Sequence, residues 1–376
     1  MGDFLFSRAL CFLLCLFVGV SAEIPHYRRY FFAGGKYVTV GSGDYLINQM
    51  YVEELKPLLV LKQNPIVFVH GLGQTGTNWL NTPDGRQGWA SYFLARGYVV
   101  YLVDTPDRAR STWNPVENTT LVPFSAAVFS TRFTAPEKFP ITPSYPNAAD
   151  HTQWPGTGLK GDPIFDQYFA STVPSIMDLA SAQHTLQDAG AALLTKIGKK
   201  CILIGHSQGA FGPWVMADAA PQFVHSIVVL EAAGPPFVEP AVNGGGPARM
   251  WGVTDIPLTY DPPVTDPATQ IFKKIIPPTS PEQIECTIQD ESQGPPKQLK
   301  NLAMVEGGVL VVTSQASWHI QYDWCTAKFL NQAGVAARHV LLSDHNINGN
   351  GHMLQLEKNS DDIANIIRLW LDGNLQ

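Results

Sequence analysis

The stretch Cys201-Ile-Leu-Ile-Gly205-His-Ser207-Gln-Gly209-Ala-Phe-Gly-Pro-Trp214 constrains this chain more than any other. An apolar run leads into a G-x-S-x-G pattern, and a small-residue helical pattern follows. Strand, sharp turn and helix in that order force the serine backbone into a strained conformation that lifts its hydroxyl above the strand end. Gly205 and Gly209 stand two residues either side of Ser207, where strand and helix pass too close for side chains. A plain Gly-rich turn would satisfy the same five letters. The buried strand before it and the helix after it argue against that.

The rest of the chain supplies a matching alternation. Tyr30 to Val40 and Gln49 to Leu55 read as paired antiparallel strands around the turn at Gly41-Ser42-Gly43. Pro65 to His70 is an apolar strand ending in the Gly-rich loop His70-Gly-Leu-Gly73. A short helix over Trp89 to Arg96 and a buried strand over Tyr98 to Asp104 follow. A long amphipathic helix is expected over Ser175 to Ile197. Further strands are expected at Val224 to Leu230, Gly308 to Ser314 and Ala337 to Leu342, with helices at Asp323 to Ala333 and Asp361 to Leu371. Strands alternating with helices predict a mostly parallel central sheet flanked by helices.

Two stretches break the rhythm. Residues 105–174 and 234–296 carry 23 of the 29 prolines, with scattered aromatics such as Trp113, Phe129, Phe133, Trp154 and Phe165. Both follow strand C-terminal ends, the face where sites lie in open α/β sheets. They read as folded cap insertions in a single domain, 23–376, rather than as linkers or decorative loops. At 376 residues and 45% hydrophobic, the chain can build one large core. Its net charge of -7, without a basic run, excludes nucleic acid as a natural partner.

Residues 1–22 read as a secretory signal: Arg8, the apolar run Ala9 to Val20, and small residues before Glu23. The run is too short for a comfortable membrane span, and an uncleaved anchor is the alternative. A secreted chain without stable membrane insertion is therefore expected; a homodimer is left open. Cys201, Cys286 and Cys325 remain after cleavage, which suggests a Cys286–Cys325 bridge and a buried Cys201 thiol. Asn118-Thr-Thr is a glycosylation sequon. No Cys/His spacing indicates a metal site, and no cofactor is expected.

A reactive serine needs a base, a group that orients the base, and donors for a developing oxyanion. His352, flanked by Gly349 and Gly351 after the last strand, has room to reach over the sheet top, and is preferred to His345. His206 sits in the turn but points away from the Ser207 hydroxyl, His70 should hold its own loop, and His319 reads as structural or cap-lining. For the acid, Glu231 directly follows three buried apolar positions, and a lone carboxylate there needs a partner. Asp323 is the alternative. The backbone N–H groups of Leu72 and Gln208 are the expected oxyanion donors.

With these residues in place the chain resembles the α/β-hydrolases over nearly all of its mature length. It is most similar to secreted microbial esterases whose triad acid, a Glu, follows strand six. The resemblance is carried by His70-Gly-Leu-Gly-Gln-Thr-Gly-Thr-Asn-Trp79, Thr82-Pro-Asp-Gly-Arg-Gln-Gly-Trp89, Asp104 with Arg108-Ala-Arg-Ser111, Gly205-His-Ser-Gln-Gly209, Glu231 and Gly351-His352. It implies an α/β-hydrolase fold with Ser207 as nucleophile, Glu231 as acid, His352 as base, and Leu72 and Gln208 at the oxyanion hole. Relatives that carry adjacent cysteines in the oxyanion loop differ here, where Leu72 and Gly73 stand. The implied activity is hydrolysis of a small to medium hydrophobic carboxylic ester. Use of the same residues as a lactonase, acyltransferase or peptidase, or a non-catalytic role binding a hydrophobic molecule, are the competing expectations.

Overall fold

Residues along the central strands alternate in side-chain direction, and the two sets enter different cores. Val67, Leu203, Val229 and Val311 pack on one face, whereas Phe68, Ile204, Val228 and Val312 pack on the other. A sheet apolar on both faces must be covered on both, which is why the chain returns to a helix after nearly every strand.

The computed structural model describes residues 23–117, 119–139 and 145–375. The expected signal segment, residues 1–22, and the sequon Asn118 lie outside the described residues. Eight strands form the central sheet: β1 His26–Val40, β2 Gly43–Pro57, β3 Ile66–Val69, β4 Val100–Asp104, β5 Cys201–His206, β6 Val224–Leu230, β7 Val309–Thr313 and β8 Ala337–Leu341. Their spatial order is β1-β2-β4-β3-β5-β6-β7-β8. The first hairpin joins antiparallel, and all pairings from β4 through β8 are parallel. The main helices are α1 Trp89–Leu94, α2 Pro163–Ala170, α3 Leu179–Ile197, α4 Phe211–Ala219, α5 Asp323–Gln332 and α6 Ser360–Leu371. Leu193, Trp214 and Phe329 bring α3, α4 and α5 onto one face. Phe93 and Ile363 bring α1 and α6 onto the other.

Some boundaries differ from the sequence reading. The long helix begins at Leu179 rather than Ser175, because the Asp178 carboxylate accepts from the Ser181 N–H at 3.1 Å and caps it there. Ser175 and Ile176 instead pair with Leu121 and Val122. The Ser175 hydroxyl accepts from the Gly73 N–H at 3.1 Å, which ties a cap segment to the loop after β3. Strand β2 starts at Gly43, six residues earlier than its apolar pattern suggests, because pairing with β1 continues to the turn.

The described residues of 105–174 fold into short helical turns and α2. Residues 234–296 are mostly loop with two-residue bridges and one short hairpin, Lys273–Ile276 with Cys286–Gln289. A disulfide joins Cys286 in that hairpin to Cys325 in α5, and Cys201 is a fully buried free thiol in β5. Among the described residues no helix is long and apolar enough to cross a membrane.

The disulfide closes a 39-residue separation. Replacing both Cys286 and Cys325 with Ser should lower the unfolding free energy by roughly 3–4 kcal/mol, read from urea denaturation beside the wild type. An unchanged midpoint would mean that the hairpin is held by packing alone.

Candidate active site

Where β5 meets α4 the chain has almost no space. A side chain at Gly209 would place its Cβ 2.1 Å from the His70 carbonyl oxygen, and one at Gly205 would meet the Ala210 Cα at 2.8 Å. The backbone between them turns so tightly that Ser207 takes a positive φ of 56°. That costs energy for a non-glycine residue and is sustained by the packing on either side. Glu231, directly after β6, also has a positive φ, 49°. The turn at the end of β6 thereby aims its carboxylate over the sheet edge instead of into the strand layer.

These two turns and the loop after β8 meet. The Ser207 hydroxyl lies 2.9 Å from His352 Nε2, and His352 Nδ1 lies 2.6 Å from Glu231 Oε2. Glu231 is fully buried. Its oxygens also accept from the Ser314 backbone N–H at 2.9 Å and the Ser317 hydroxyl at 2.7 Å. Burial pushes its carboxyl up to about 7, with the Asp323 charge adding to it, while His319 and the two serine donors act the other way. His352 is held well below the ordinary imidazole value, chiefly by burial, with His206, His319 and Arg132 adding to it. The imidazole is therefore neutral at rest, with Nδ1–H donating to Glu231 and Nε2 accepting from Ser207. A hydroxyl so placed can lose its proton to the imidazole as it attacks an electrophilic carbon.

The alternative acid and base lie elsewhere. Asp323 accepts from Thr313 at 2.8 Å and pairs with His319 at 3.1 Å, not with His352. His345 closes the turn after β8, partly exposed. His206 turns away from the serine and bonds the His352 carbonyl oxygen at 2.8 Å, so it fixes the loop carrying the imidazole. His70 bonds the Gly71 carbonyl at 3.0 Å and accepts from the Thr105 N–H at 3.1 Å. His319 stacks on the His352 ring with centroids 4.9 Å apart. Glu231, His319 and His352 bring ligand-type atoms within 4.8 Å of one another, but those atoms already hold hydrogen bonds to Ser317, Asp323, Tyr322 and Ser207. The set fits a hydrogen-bonded relay better than a metal cage.

Leu72 and Gln208 border the same cavity as Ser207. One residue joins their two loops: Arg108 donates to the Gly71 carbonyl at 2.9 Å and to Gln208 Oε1 at 3.2 Å. It is almost completely buried. The sequence displayed Arg108 within a motif, without a task for it; a basic residue just after an apolar strand was the available signal. After β7, where the sequence has no carboxylate before Asp323, the Ser317 hydroxyl supports the one from β6 instead.

Rings from the first cap, from α4 and from the turn after β7 surround the site. Phe133 stacks on His352 at 5.3 Å, and Trp318 lies 4.5 Å from it. Phe124, Phe129, Phe211 and Trp318 help to enclose a cavity of about 400 Å³ that opens onto Ser207. The first cap is also sewn to the His352 loop. His151 sits between Glu137, at 3.0 Å, and the buried Glu357, at 2.8 Å. Glu357 accepts from the Gly351 N–H at 3.0 Å and from the Asn350 amide at 2.7 Å. The Thr152 N–H adds a bond of 2.9 Å to the Gly349 carbonyl. Burial opposes charge on His151, but its two carboxylate partners outweigh it and push the imidazole up to about 9. The sequence reading assigns no role to His151 or Glu357; a lone charge closing the run Met353-Leu-Gln-Leu-Glu357 is the signal that could have found the cluster.

Comparison with known proteins agrees with the fold. Residues 66–366 match the alpha/beta hydrolase family. A protein named probable secreted lipase phiG, from Fungal sp. (strain ATCC 74256), is 41% identical over 342 residues, covering 91% of this chain and 88% of its own. A solved structure described as a novel bacterial esterase superposes with a TM-score of 0.61 at 22% identity, covering 95% of this chain and 98% of its own. At that identity it bears on the fold alone.

The His151 cluster has a calculable pH signature. Its imidazole titrates at 6.5 when free and at about 9 when folded, so the pair's stabilisation is complete below pH 6.5 and is lost as pH rises through 9. His151→Gln leaves Glu357 buried beside a neutral partner and should cost on the order of 3 kcal/mol at pH 6. Thermal melts from pH 6 to pH 10 should show the wild type losing its advantage over the variant across that window. Parallel curves for the two proteins would show that His151 is neutral throughout.

Proposed function

Because the chain belongs to the alpha/beta hydrolase family, we propose that it is a secreted serine hydrolase that cleaves carboxylic esters through an acyl-enzyme on Ser207. The observation that carries this reading is the hydrogen-bonded line from Ser207 through His352 to Glu231, at 2.9 and 2.6 Å, on the floor of an aromatic cavity. The relative named as a probable secreted lipase supports both the ester and the secretion, and the leading apolar segment supports the secretion.

In this reading Ser207 attacks the ester carbonyl as His352 Nε2 takes its proton. The negative charge that forms on the carbonyl oxygen is met by the backbone N–H groups of Leu72 and Gln208. A missing donor of this kind typically costs about 3–4 kcal/mol of transition-state stabilisation. Arg108 acts here as a positioning residue, because it ties both donor loops together. His352 becomes an imidazolium, which Glu231 stabilises through Nδ1–H. It then gives the proton to the departing alcohol, and water repeats the sequence to release the acid. The three bonds held by Glu231 oppose the upward push of burial and keep the carboxylate aimed while this charge comes and goes. A cavity of about 400 Å³, walled by phenyl and indole rings, suits a small to medium hydrophobic ester better than a long-chain triglyceride.

Hydrolysis of p-nitrophenyl esters from acetate to palmitate should peak at short or medium chains and vanish in Ser207→Ala. Glu231→Gln should fall by about 10³–10⁴ in kcat, by analogy with other triads. Activity that survives Ser207→Ala would remove the acyl-enzyme from this chain's chemistry, and a near-normal Glu231→Gln would remove Glu231 from its role.

The pH profile gives a separate check. With the Glu231 carboxyl pushed up to about 7, kcat/KM should fall as pH drops below 7 and level off above it. A profile flat down to pH 5 would mean that Glu231 is fully ionised there.

A further inference from the structure

The wall of the cavity carries two guanidinium groups with unequal partners. Arg249 is matched: its Nη1 meets Glu239 at 2.7 Å, its Nε meets the Pro235 carbonyl at 2.7 Å, and its second Nη reaches the Val238 carbonyl. Arg132, on the single π-helical turn Ser130–Thr134, is held only by neutral acceptors, the Val242 carbonyl at 3.0 Å and the Asn243 side-chain oxygen. Glu239, whose charge also favours the guanidinium, is paired with Arg249. Both contacts of Arg132 reach from the first cap to the second, so the cation hangs over the space between them.

Its other neighbours are an indole and the phenols of Tyr145 and Tyr322. The Arg132 guanidinium carbon lies 4.4 Å over the Trp318 ring, and Trp318 lies 4.5 Å from the His352 ring. One indole therefore separates the cation from the imidazole beside Ser207. Burial holds its pKa below the ordinary guanidinium value. A guanidinium still stays charged in a protein. A partly desolvated cation without a counter-charge is costly. Its fork retains N–H groups of the geometry that carboxylates accept in pairs.

We propose that Arg132 docks an anionic group, a carboxylate in the simplest case, carried by the ester substrate itself. The inference rests on the esterase reading above and narrows it: the substrate is an amphipathic acid ester, with its apolar body among Phe124, Phe129 and Phe211 and its anion a few bonds from the scissile carbonyl. The anion belongs either to the acyl part or to the leaving alcohol, and the two arms of the test separate them.

The first arm compares hemi-ethyl glutarate with its neutral mono-amide. The second compares 4-acetoxybutanoate with 4-acetoxybutanamide. Each rate is divided by the alkaline hydrolysis rate of the same compound. In at least one arm the wild-type chain should prefer the acid by tenfold or more in kcat/KM. Arg132→Gln should bring that preference to within twofold, mainly through KM, and Arg132→Lys should keep part of it. A wild-type preference at or below one in both arms, or a preference that Arg132→Gln leaves intact, would overturn the proposal and make Arg132 a brace between the caps. The wild-type ratio and Arg132→Lys decide the matter if the glutamine variant does not fold. Hydrolysis of p-nitrophenyl acetate, lost in Ser207→Ala, is run alongside. Its absence from the wild type would count against the esterase reading, whereas its presence without acid preference counts against the Arg132 inference alone.

Discussion

A fully buried carboxylate is the constraint on which much of this structure depends. Glu231 leaves the end of β6 with a positive φ and enters a region from which water is excluded. Left alone, it would cost several kcal/mol or take up a proton. Three donors answer it, and they come from separate places: the backbone at Ser314, the hydroxyl of Ser317 and the ring of His352. Satisfying that one group fixes the turn after β7 and the loop after β8 relative to β6. The geometry at Ser207 follows from that, because the ring that faces Glu231 at one nitrogen faces the serine at the other.

The loop carrying His352 has a second set of supports that work without touching the serine. His206 holds the His352 carbonyl from below, and Glu357 holds the Gly351 N–H from the side. Through His151, Glu357 is joined to the first cap. A cap insertion is therefore part of the mounting of the imidazole as well as the roof of the cavity. This explains why so proline-rich a segment forms short, well-packed turns: its hydrogen bonds are spent on the domain beneath it, as the bonds from Thr152 and Gln153 to the Gly349 carbonyl show.

The fold was legible because the signals for it are local and repeated. Each central strand is a short apolar run, and each main helix carries its own apolar face. Disagreement came where a local signal was overridden. Ser175 fits the apolar period of α3, but the Asp178 cap and the bond from Gly73 take it out of the helix. In the site, Ser207, His352 and Glu231 stood out through glycine spacing and a charge out of place, and the structure brings all three together. The supporting residues did not stand out. Arg108, Ser317, His151 and Arg132 act across sequence separations of 37, 86, 206 and 110 residues. Nothing in a linear pattern marks a partner that distant. The caps were recognisable as folded segments, but their contacts depend on packing that no period encodes.

The position of Cys201 bears on how the chain acquires its disulfide. The three cysteines of the described residues permit three pairings, of which the fold uses one. Cys201 opens β5, between β3 and β6 in the middle of the sheet, and is fully buried, with burial pushing its thiol up to about 12. Thiolate, not thiol, carries out exchange. Once the central strands associate, Cys201 is withdrawn from oxidation both sterically and chemically, and only Cys286 and Cys325 remain to be joined. The folded sheet thereby guards the pairing: in it the thiol that could compete for either partner is out of reach of exchange.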